Sequence, residues 1–259
     1  MNKLLRGVVI LWVVVAGVAC AEDKPGGGGP NGGNSGVEAG VVKGLVVDTQ
    51  GKPLANLKVV VENTVFQASY VYATTGQDGR YRAEVPNGGW KVTVQLERQF
   101  QGRNYKFDLH PDNPNGFTGT EGAIRNFTWK LSGARPEANR FYGATATVYR
   151  ALGDDGPFYE LNEVELTFTP DGPLVDGSTG QPVTGRPESG SDQVRDIPLG
   201  RYVITARHAP PGGQAKPMLL RVRNTGSYAS SVTSTFNTPY PELAIHELEL
   251  EVRNPSATP

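Results

Sequence analysis

Short runs of alternating hydrophobic and polar residues, separated by Gly, Asn and Asp turns, follow one another from Val41 almost to the end of the chain. In the run 90–96, every second residue from Trp90 to Leu96 is hydrophobic, and the residues between them are Lys, Thr and Gln. A period of two predicts a half-buried antiparallel strand. Comparable runs lie at 44–48, 57–62, 81–85, 125–131, 164–168, 218–223 and 245–252. The chain is therefore predicted to be all-β.

These runs fall into two groups. They predict two tandem antiparallel β-sandwiches at residues 40–132 and 140–253, with a short tail at 254–259. Within the first group, residues 100–107 are expected to form one strand and residues 108–116 a polar loop.

The segments 85–94 and 197–206 share the same spacing of an aliphatic residue, Pro, Gly, an aromatic residue, an aliphatic residue and Thr. In both, Pro and Gly turn the chain so that an aromatic residue, Trp90 or Tyr202, begins a strand that faces the core. The match favours a second sandwich related to the first, although strand–turn–strand segments can also share such spacing by chance.

Three motifs in the first group carry a family resemblance. They are Gly44-x-Val46-x-Asp48-x-x-Gly51-x-Pro53-Leu54, Thr75-x-x-Asp78-Gly79-x-Tyr81 and Val85-Pro86-Asn87-Gly88-x-Trp90. Together they resemble a carboxypeptidase regulatory-like domain. The resemblance implies a small transthyretin-like β-sandwich of about seven strands. It implies little about activity, because this module serves many exported proteins.

The N-terminus predicts export. Two basic residues precede an apolar stretch, 7–19, that is too short to span a bilayer and ends in small residues before Cys20, the only cysteine. Residues 1–19 resemble a bacterial lipoprotein signal peptide, which implies lipidation of Cys20. In that family, Ala21 after the cysteine implies the outer membrane. The alternative is an ordinary secretory signal followed by a free thiol.

The composition is consistent with a tethered β protein. The 33 Gly and 20 Pro among 259 residues argue against long helices, a coiled coil and a multi-span membrane protein. Residues 20–39 are rich in Gly and are predicted to form a flexible tether. A net charge of −1 offers no basic surface for nucleic acid, so membrane contact is expected through the lipid anchor alone.

No motif predicts catalysis. The His-x-x-Glu motif at 246–249 lacks a third ligand for catalytic zinc, and the alternating glutamates there, ending at Glu251, are predicted to form a solvated strand face. Asp108, His110 and Asp112 alternate in a loop where turn chemistry explains them as well as a metal would. We therefore expect no catalytic residue, no metal site and no cofactor.

The polar segment 171–192 is long for a loop in a compact domain, and such loops often bind ligands. Asp171 and Asp176 are its candidate binding residues. With Asp192 they could contribute to a Ca²⁺ loop, although the spacing is not that of an EF-hand. A mobile surface segment and an unrecognised hydrolase site within 171–196 are the alternatives.

Tyr70 and Tyr72 share one face of the predicted strand 69–73. If exposed, they would form a paired platform for sugar rings; if buried, they would pack in the core. Three further aromatic residues near loops are secondary candidates: Phe117, Tyr228 and Tyr240.

Taken together, these patterns predict a non-catalytic lipoprotein of the cell envelope, held at the outer membrane, that binds carbohydrate or another envelope component. The alternative is a structural or adhesion protein that docks a protein partner through edge strands or long loops.

Overall fold

The computed structural model of the chain describes residues 36–136 and 140–255. The predicted signal peptide, Cys20 and the tether as far as residue 35 lie outside the described residues. Within the described ranges, no helix has the length and hydrophobicity needed to cross a membrane.

The first group of strands forms two sheets. Its strands are β1 Val41–Val47, β2 Lys58–Asn63, β3 Tyr70–Thr74, β4 Arg80–Glu84, β5 Gly89–Phe100, β6 Arg103–Leu109, β7 Phe117–Thr118, β8 Ala123–Ile124 and β9 Phe127–Thr128. One sheet has the order β4-β1-β8, and β9 also pairs with β1; the other has the order β3-β2-β5-β6, and β7 pairs with β5. The predicted sandwich is thus confirmed, although β8 and β9 run parallel to β1.

The second group forms a larger, nine-stranded sheet. Its strands are β10 Ala144–Arg150, β11 Val164–Pro170, β12 Val183–Gly185, β13 Gln193–Ile197, β14 Arg201–His208, β15 Lys216–Val222, β16 Val232–Thr235, β17 Asn237–Tyr240 and β18 Ile245–Arg253. Short 3₁₀ turns lie at Leu161–Glu163 and Pro241–Leu243. The order is β12-β11-β14-β15-β18-β10-β13, and β15 pairs with β14 at its start and with β18 further along. One pair here is also parallel, since β10 and β18 run in the same direction.

The alternation of hydrophobic and polar residues along the strands places the buried core where the sequence predicts it. In β5, the four hydrophobic residues from Trp90 to Leu96 are buried and the three polar residues between them are exposed. Val164, Leu166 and Phe168 are likewise fully buried in β11. Each such side chain contributes about 1.5–3 kcal/mol when it leaves water, so these faces hold the sheets together.

The two segments with matching spacing build the same corner. The Trp90 indole Nε1 donates a hydrogen bond to the Pro86 carbonyl at 2.9 Å, and the Tyr202 hydroxyl donates one to the Pro198 carbonyl at 2.6 Å. Each ring is buried, and each polar end reaches the proline four residues earlier. The internal match in the sequence therefore has a structural counterpart.

The two groups of strands are in contact. The Tyr105 hydroxyl of β6 donates to the Phe236 carbonyl at 2.7 Å, and Arg103 donates to Asn237. The His246 ring lies against the rings of Tyr105 and Phe107, with centroids 5.5 and 5.0 Å apart. No strand pairing among the described residues joins the two groups, so these side-chain contacts form the joint between them. The domain boundaries at 132 and 140 stay a prediction.

The predicted single strand at 100–107 is wrong. The chain reverses at Gln101 and Gly102, so that Phe100 ends β5 and Arg103 begins β6 as its antiparallel partner. Both turn residues have positive φ, 51° and 73°, which matches the twist of a two-residue hairpin. Gln is an uncommon first residue for such a turn, which is why the sequence pattern did not reveal it.

The predicted strand 125–131 is also shorter than expected. Only Phe127–Thr128 pairs as β9, although the alternation is kept, because Phe127, Trp129 and Leu131 are all buried. At the other end of β6, Asp108 belongs to the strand rather than to the loop and lies opposite Gln95.

Glu251 does not face solvent as predicted. Its side chain is buried and accepts hydrogen bonds from Tyr228 Oη at 2.6 Å and Arg221 Nε at 2.7 Å. Arg221 lies directly opposite Glu251 in the β15–β18 pair. A buried carboxylate is stable only when it is paired in this way, and periodicity along one strand cannot show which charge faces it.

Candidate functional site

Tyr70 and Tyr72 lie side by side on β3, at the edge of the β3-β2-β5-β6 sheet. Their side chains are 43% and 56% exposed, while Val71 and Ala73 between and after them pack against the core. The two rings are inclined by only 23°, with centroids 6.0 Å apart. The structure thus shows the exposed, paired arrangement that a sugar platform requires.

Charged side chains surround the tyrosine pair. Lys58 Nζ lies 4.4 Å from the centroid of the Tyr72 ring, a cation–π contact, and Glu62 lies opposite Tyr70 on β2. Glu62 in turn forms an ion pair with Lys91 of β5 at 3.1 Å. The contact with Lys58 restrains the Tyr72 ring, and the ion pair supplies hydrogen-bonding groups beside it.

A groove continues this face towards β6. It has a volume of about 570 Å³, and its floor consists of Lys91, Thr93, Gln95 and Asp108. Pro111, Pro114 and Pro136 are among the residues that form its wall. Because strands lie about 4.8 Å apart, the groove begins about 10 Å from the tyrosine pair. We refer to the tyrosine pair and this groove together as the tyrosine face.

Lys91, Thr93 and Gln95 of the groove floor were not among the candidate residues predicted from the sequence. The signal was present, since Lys91, Thr93 and Gln95 are the exposed positions of an alternating strand. What was missing is the register, which puts Thr93 and Gln95 across from Val60 and Lys58 of β2. Pairing between distant segments is not visible in the period of either strand.

Asp176 bonds to other parts of the chain. It accepts hydrogen bonds from Ser178 Oγ at 2.6 Å, from Thr49 Oγ1 and from Gln50 Nε2 at 3.3 Å, the last two belonging to the first group of strands. Burial acts to raise the pKa of Asp176, but the hydrogen bonds from Ser178 and Thr49 hold that pKa below its ordinary value. The carboxylate therefore helps to tie the two groups of strands together.

The segment 171–192 is not the free polar loop that was expected. Leu174 and Val175 are buried, and β12 pairs with β11 within it. Asp171 forms an ion pair with Arg201 at 3.1 Å. Binding by Asp171 and Asp176 stays a prediction, and both carboxylates already have partners.

The described residues contain no group of three or more His, Cys, Asp and Glu side chains that could hold a metal ion. Asp112 accepts hydrogen bonds from the backbone and side chain of Asn126, at 3.1 and 2.9 Å. The His110 ring lies edge-on to Tyr142. The loop that could have been a metal site is thus bound to the neighbouring strand by turn and side-chain hydrogen bonds.

The three secondary aromatic candidates have different environments. Phe117 is almost fully buried in β7, and Tyr228 is half-buried with its hydroxyl on Glu251. Tyr240 is 54% exposed on β17. Tyr240 therefore provides an exposed tyrosine away from the tyrosine face, useful as a control.

The sequence model of the family described as carboxypeptidase regulatory-like domain matches residues 41–118. No curated protein matches the chain.

Three solved structures illustrate what the chain is similar to. A candidate carbohydrate binding protein from Pseudomonas aeruginosa is 17% identical over 36% of this chain and 89% of its own, with a TM-score of 0.22. A C-terminal fragment of the pilus adhesin SpaC from Lactobacillus rhamnosus GG is 13% identical over 85% and 99%, with a TM-score of 0.27. A streptococcal ancillary pilin is 11% identical over 82% of this chain, which spans 62% of that pilin, with a TM-score of 0.24. TM-scores this low support no conclusion about function.

The family match and the strand pairing agree on the first part of the chain. The matched segment contains β1 to β7, and these strands form the two sheets of a sandwich. Residues 41–118 thus match the carboxypeptidase regulatory-like domain in sequence and lie within a β-sandwich, as the sequence motifs predict.

Proposed function

We propose that this protein is a non-catalytic binding module of the cell envelope and that its tyrosine face binds carbohydrate. The observation that carries the proposal is the exposed pair of nearly parallel rings, Tyr70 and Tyr72, on one edge strand. A soluble domain gains no packing energy from two exposed aromatic rings, whereas a ligand with an apolar ring face does.

The surroundings of the pair suit a sugar. The flat apolar side of a pyranose packs on an aromatic ring, and its hydroxyl groups need donors and acceptors at the edge of that contact. Lys58, Glu62 and Lys91 supply charged groups next to the rings, and Thr93 and Gln95 supply neutral ones in the groove. One sugar unit on the tyrosines and further units along the groove would fill this face.

The envelope location rests on the N-terminal sequence. A lipid on Cys20 would hold the protein at the outer membrane, and the Gly-rich tether would separate the binding module from the lipid surface. In a Cys20→Ser variant, the protein should leave the membrane fraction. Unchanged membrane fractionation of that variant would contradict the lipid anchor and leave an ordinary secretory signal as the explanation.

A second candidate function is docking of a protein partner on β3. Edge strands present unpaired backbone groups, and Val65 and Phe66 in the adjoining turn are 72% and 68% exposed. Such a partner would contact the backbone of β3 and the exposed turn. A hydrolase site in 171–196 is less favoured, because Asp171 and Asp176 are held by contacts within the chain.

The test is a glycan array followed by calorimetric titration of the strongest neutral oligosaccharide. The Tyr70→Ala, Tyr72→Ala double variant should lose at least tenfold in affinity, while Tyr240→Ala, which also removes an exposed tyrosine, should bind as the parent does. Equal affinities of the parent and the double variant would reject the tyrosine face. Binding of an envelope protein that is lost in Phe66→Ser and insensitive to glycans would favour the second candidate.

A further inference from the structure

The edge strand β3 directs backbone hydrogen-bonding groups away from its sheet. The N–H of Thr75, directly after β3, donates to the Leu57 carbonyl at 3.0 Å, so Thr75 belongs to a hydrogen-bonded pair with β2. Such pairs recur at every second residue of an antiparallel ladder. The N–H and carbonyl groups that point away from β2 are therefore those of Tyr70, Tyr72 and Thr74. No strand of the described residues pairs with that side of β3.

β3 also lacks the features that keep an edge strand from pairing further. Edge strands commonly contain charged residues, prolines or bulges, whereas β3 has no charge and no proline and pairs with β2 without a shift in register. The opposite edge of the same sheet differs, since β6 contains Arg103, Lys106 and Asp108. Addition of another strand is therefore expected at β3 rather than at β6.

We propose that β3 pairs with β3 of a second copy of this chain, antiparallel and about a two-fold axis at Tyr72. In this register, Tyr72 lies opposite Tyr72 of the second copy, and Tyr70 lies opposite Thr74 of the second copy. Each of these residues donates one hydrogen bond and accepts another, which gives about six across the axis. The second copy fits because this edge is complementary to itself, as a two-fold dimer requires.

The side chains agree with this register on both faces of the sheet. On the inner face, Val71 would lie opposite Ala73 of the second copy; both are partly buried against the core, and pairing would remove more of their surface from water. On the outer face, β2 carries Lys58 beside one end of β3 and Glu62 beside the other. The axis therefore sets Lys58 of one copy and Glu62 of the other at the same end of the interface, with no like charges directly opposite.

Pairing would join the two pairs of tyrosines into one aromatic surface. The new hydrogen bonds lie in the plane of the sheet, so the rings of Tyr70 and Tyr72 stay on its exposed face. The two Tyr72 Cα atoms would lie about 5.5 Å apart, with each Tyr70 diagonal to the Tyr72 of the other copy. A long oligosaccharide would then contact rings of both copies. This extension rests on the proposed carbohydrate function, whereas the pairing itself does not.

Disulfide cross-linking tests the register. The mature chain with Cys20→Ser contains no other cysteine. Added to it, Tyr72→Cys should form a covalent dimer under mild oxidation, because the paired Cα atoms are within reach of a disulfide. Thr74→Cys is the matched control: it is exposed on the same strand face, but it would lie four positions, about 13 Å, from its counterpart and should stay monomeric. Equal cross-linking of the two variants, or none in either, would overturn the proposal.

Hydrogen exchange tests which amides the second copy covers. The amides of Val71 and Ala73 bond to β2 and should be protected at every protein concentration. Those of Tyr70, Tyr72 and Thr74 should become protected only as the concentration rises and dimers form. Fast exchange of these three amides in a dimer would place the contact elsewhere. Protection that does not depend on concentration would mean that another segment of the same chain covers β3, which would also overturn the proposal.

A proline at an outward position separates pairing from folding. Thr74→Pro removes an N–H that does not bond to β2, so the sandwich should fold while each dimer loses two hydrogen bonds. In analytical ultracentrifugation of the Cys20→Ser chain, dimerisation should weaken by about tenfold or more. Thr74→Ala, which keeps the N–H, should dimerise as the parent does. Equal dimerisation of the folded proline variant and the parent would contradict pairing through β3.

Carbohydrate titration distinguishes this proposal from the proposed function. The probes are the strongest neutral oligosaccharide from the glycan array and its disaccharide unit. Thr74→Pro keeps both tyrosines, so the disaccharide should bind as it does to the parent, while the oligosaccharide should bind several-fold more weakly. Equal binding of the oligosaccharide would reject the joined surface. A dimer without carbohydrate binding would reject only the proposed function, and carbohydrate binding by a chain that stays monomeric would reject only the pairing.

Discussion

The corners at Trp90 and Tyr202 use the same geometry in the two groups of strands, yet they have different neighbours. Each ring is buried, and each donates to a proline carbonyl four residues earlier. The Tyr202 ring also lies edge-on to Phe168 and Phe236, and the Phe236 carbonyl accepts the hydrogen bond from Tyr105 of the first group. The second corner is therefore linked to the joint between the groups, whereas the first corner stabilises its own sandwich.

The largest loss of stability is expected when the first corner, at Trp90, is disrupted. Trp90→Ala removes a ring that is 2% exposed and leaves the Pro86 carbonyl without its donor, so unfolding free energy should fall by about 3–5 kcal/mol. Urea unfolding measures the loss, and Lys91→Ala on the exposed side of the same strand should cost less than about 0.5 kcal/mol. A loss below about 1 kcal/mol for Trp90→Ala would show that the corner does not hold the sandwich.

The joint should be sensitive to acid through His246. Burial lowers the pKa of His246 to about 4, the Lys106 carbonyl acts in the opposite direction, and the charge of Arg135 lowers the pKa further. The unfolded chain binds a proton near pH 6.5, so stability is complete above that pH and is lost as the pH falls from 6.5 to 4, by about 3 kcal/mol in all.

Urea unfolding between pH 4 and 7 measures this dependence. His246→Leu, which cannot titrate, should flatten the curve in that range. An equal slope in the parent and His246→Leu would mean that other groups cause the acid sensitivity.

Changes at the second corner and at the joint should cost less free energy of unfolding than either of the changes above. Tyr202→Phe leaves the Pro198 carbonyl without a donor, and Tyr105→Phe leaves the Phe236 carbonyl without one; each should cost about 1 kcal/mol. The Tyr202 ring packs against the Phe236 ring, and the Tyr105 hydroxyl donates to the Phe236 carbonyl. Because the two tyrosines share this neighbour, the free energies lost in the single variants should depart from additivity in the double variant by about 0.5 kcal/mol or more. Strict additivity in a double-mutant cycle would show that the corner and the joint are independent.

The smallest effect on stability is expected where aromatic rings are exposed. Tyr70→Ala and Tyr72→Ala should each change the unfolding free energy by less than about 0.5 kcal/mol, in contrast to Trp90→Ala. Thermal melting checks this directly. A loss as large as at Trp90 would mean that the two tyrosines belong to the core rather than to a binding face.

Much of the fold could be predicted from periodicity and turn residues. The alternation from Trp90 to Leu96 specifies a strand face, and Asp78-Gly79 specifies a turn, from neighbouring residues alone. That turn does not close a hairpin, however, because β3 and β4 on either side of it belong to different sheets. The matching corners were visible in the sequence because they too depend on neighbouring residues. The hairpin at Gln101-Gly102 was not, because Gln is an unusual residue at positive φ.

The sites depend on contacts between distant residues, so less of them could be predicted. That Tyr70 and Tyr72 share a face follows from their spacing, but their exposure depends on β3 being an edge strand. The partner of Glu251 comes from β15 and lies 30 positions earlier in the chain. One strand's pattern contains no information on these pairings.

The most direct test of the central claim is to map carbohydrate binding residue by residue. Backbone amide chemical shifts of the mature protein should be recorded by NMR while the strongest neutral oligosaccharide from the glycan array is added. We predict that the shifts concentrate on Tyr70–Thr74, on Lys58 to Glu62 and on Lys91 to Gln95, and that they disappear in the Tyr70→Ala, Tyr72→Ala variant. Shifts centred elsewhere, or shifts that persist in that variant, would contradict the assignment of the tyrosine face as the binding site.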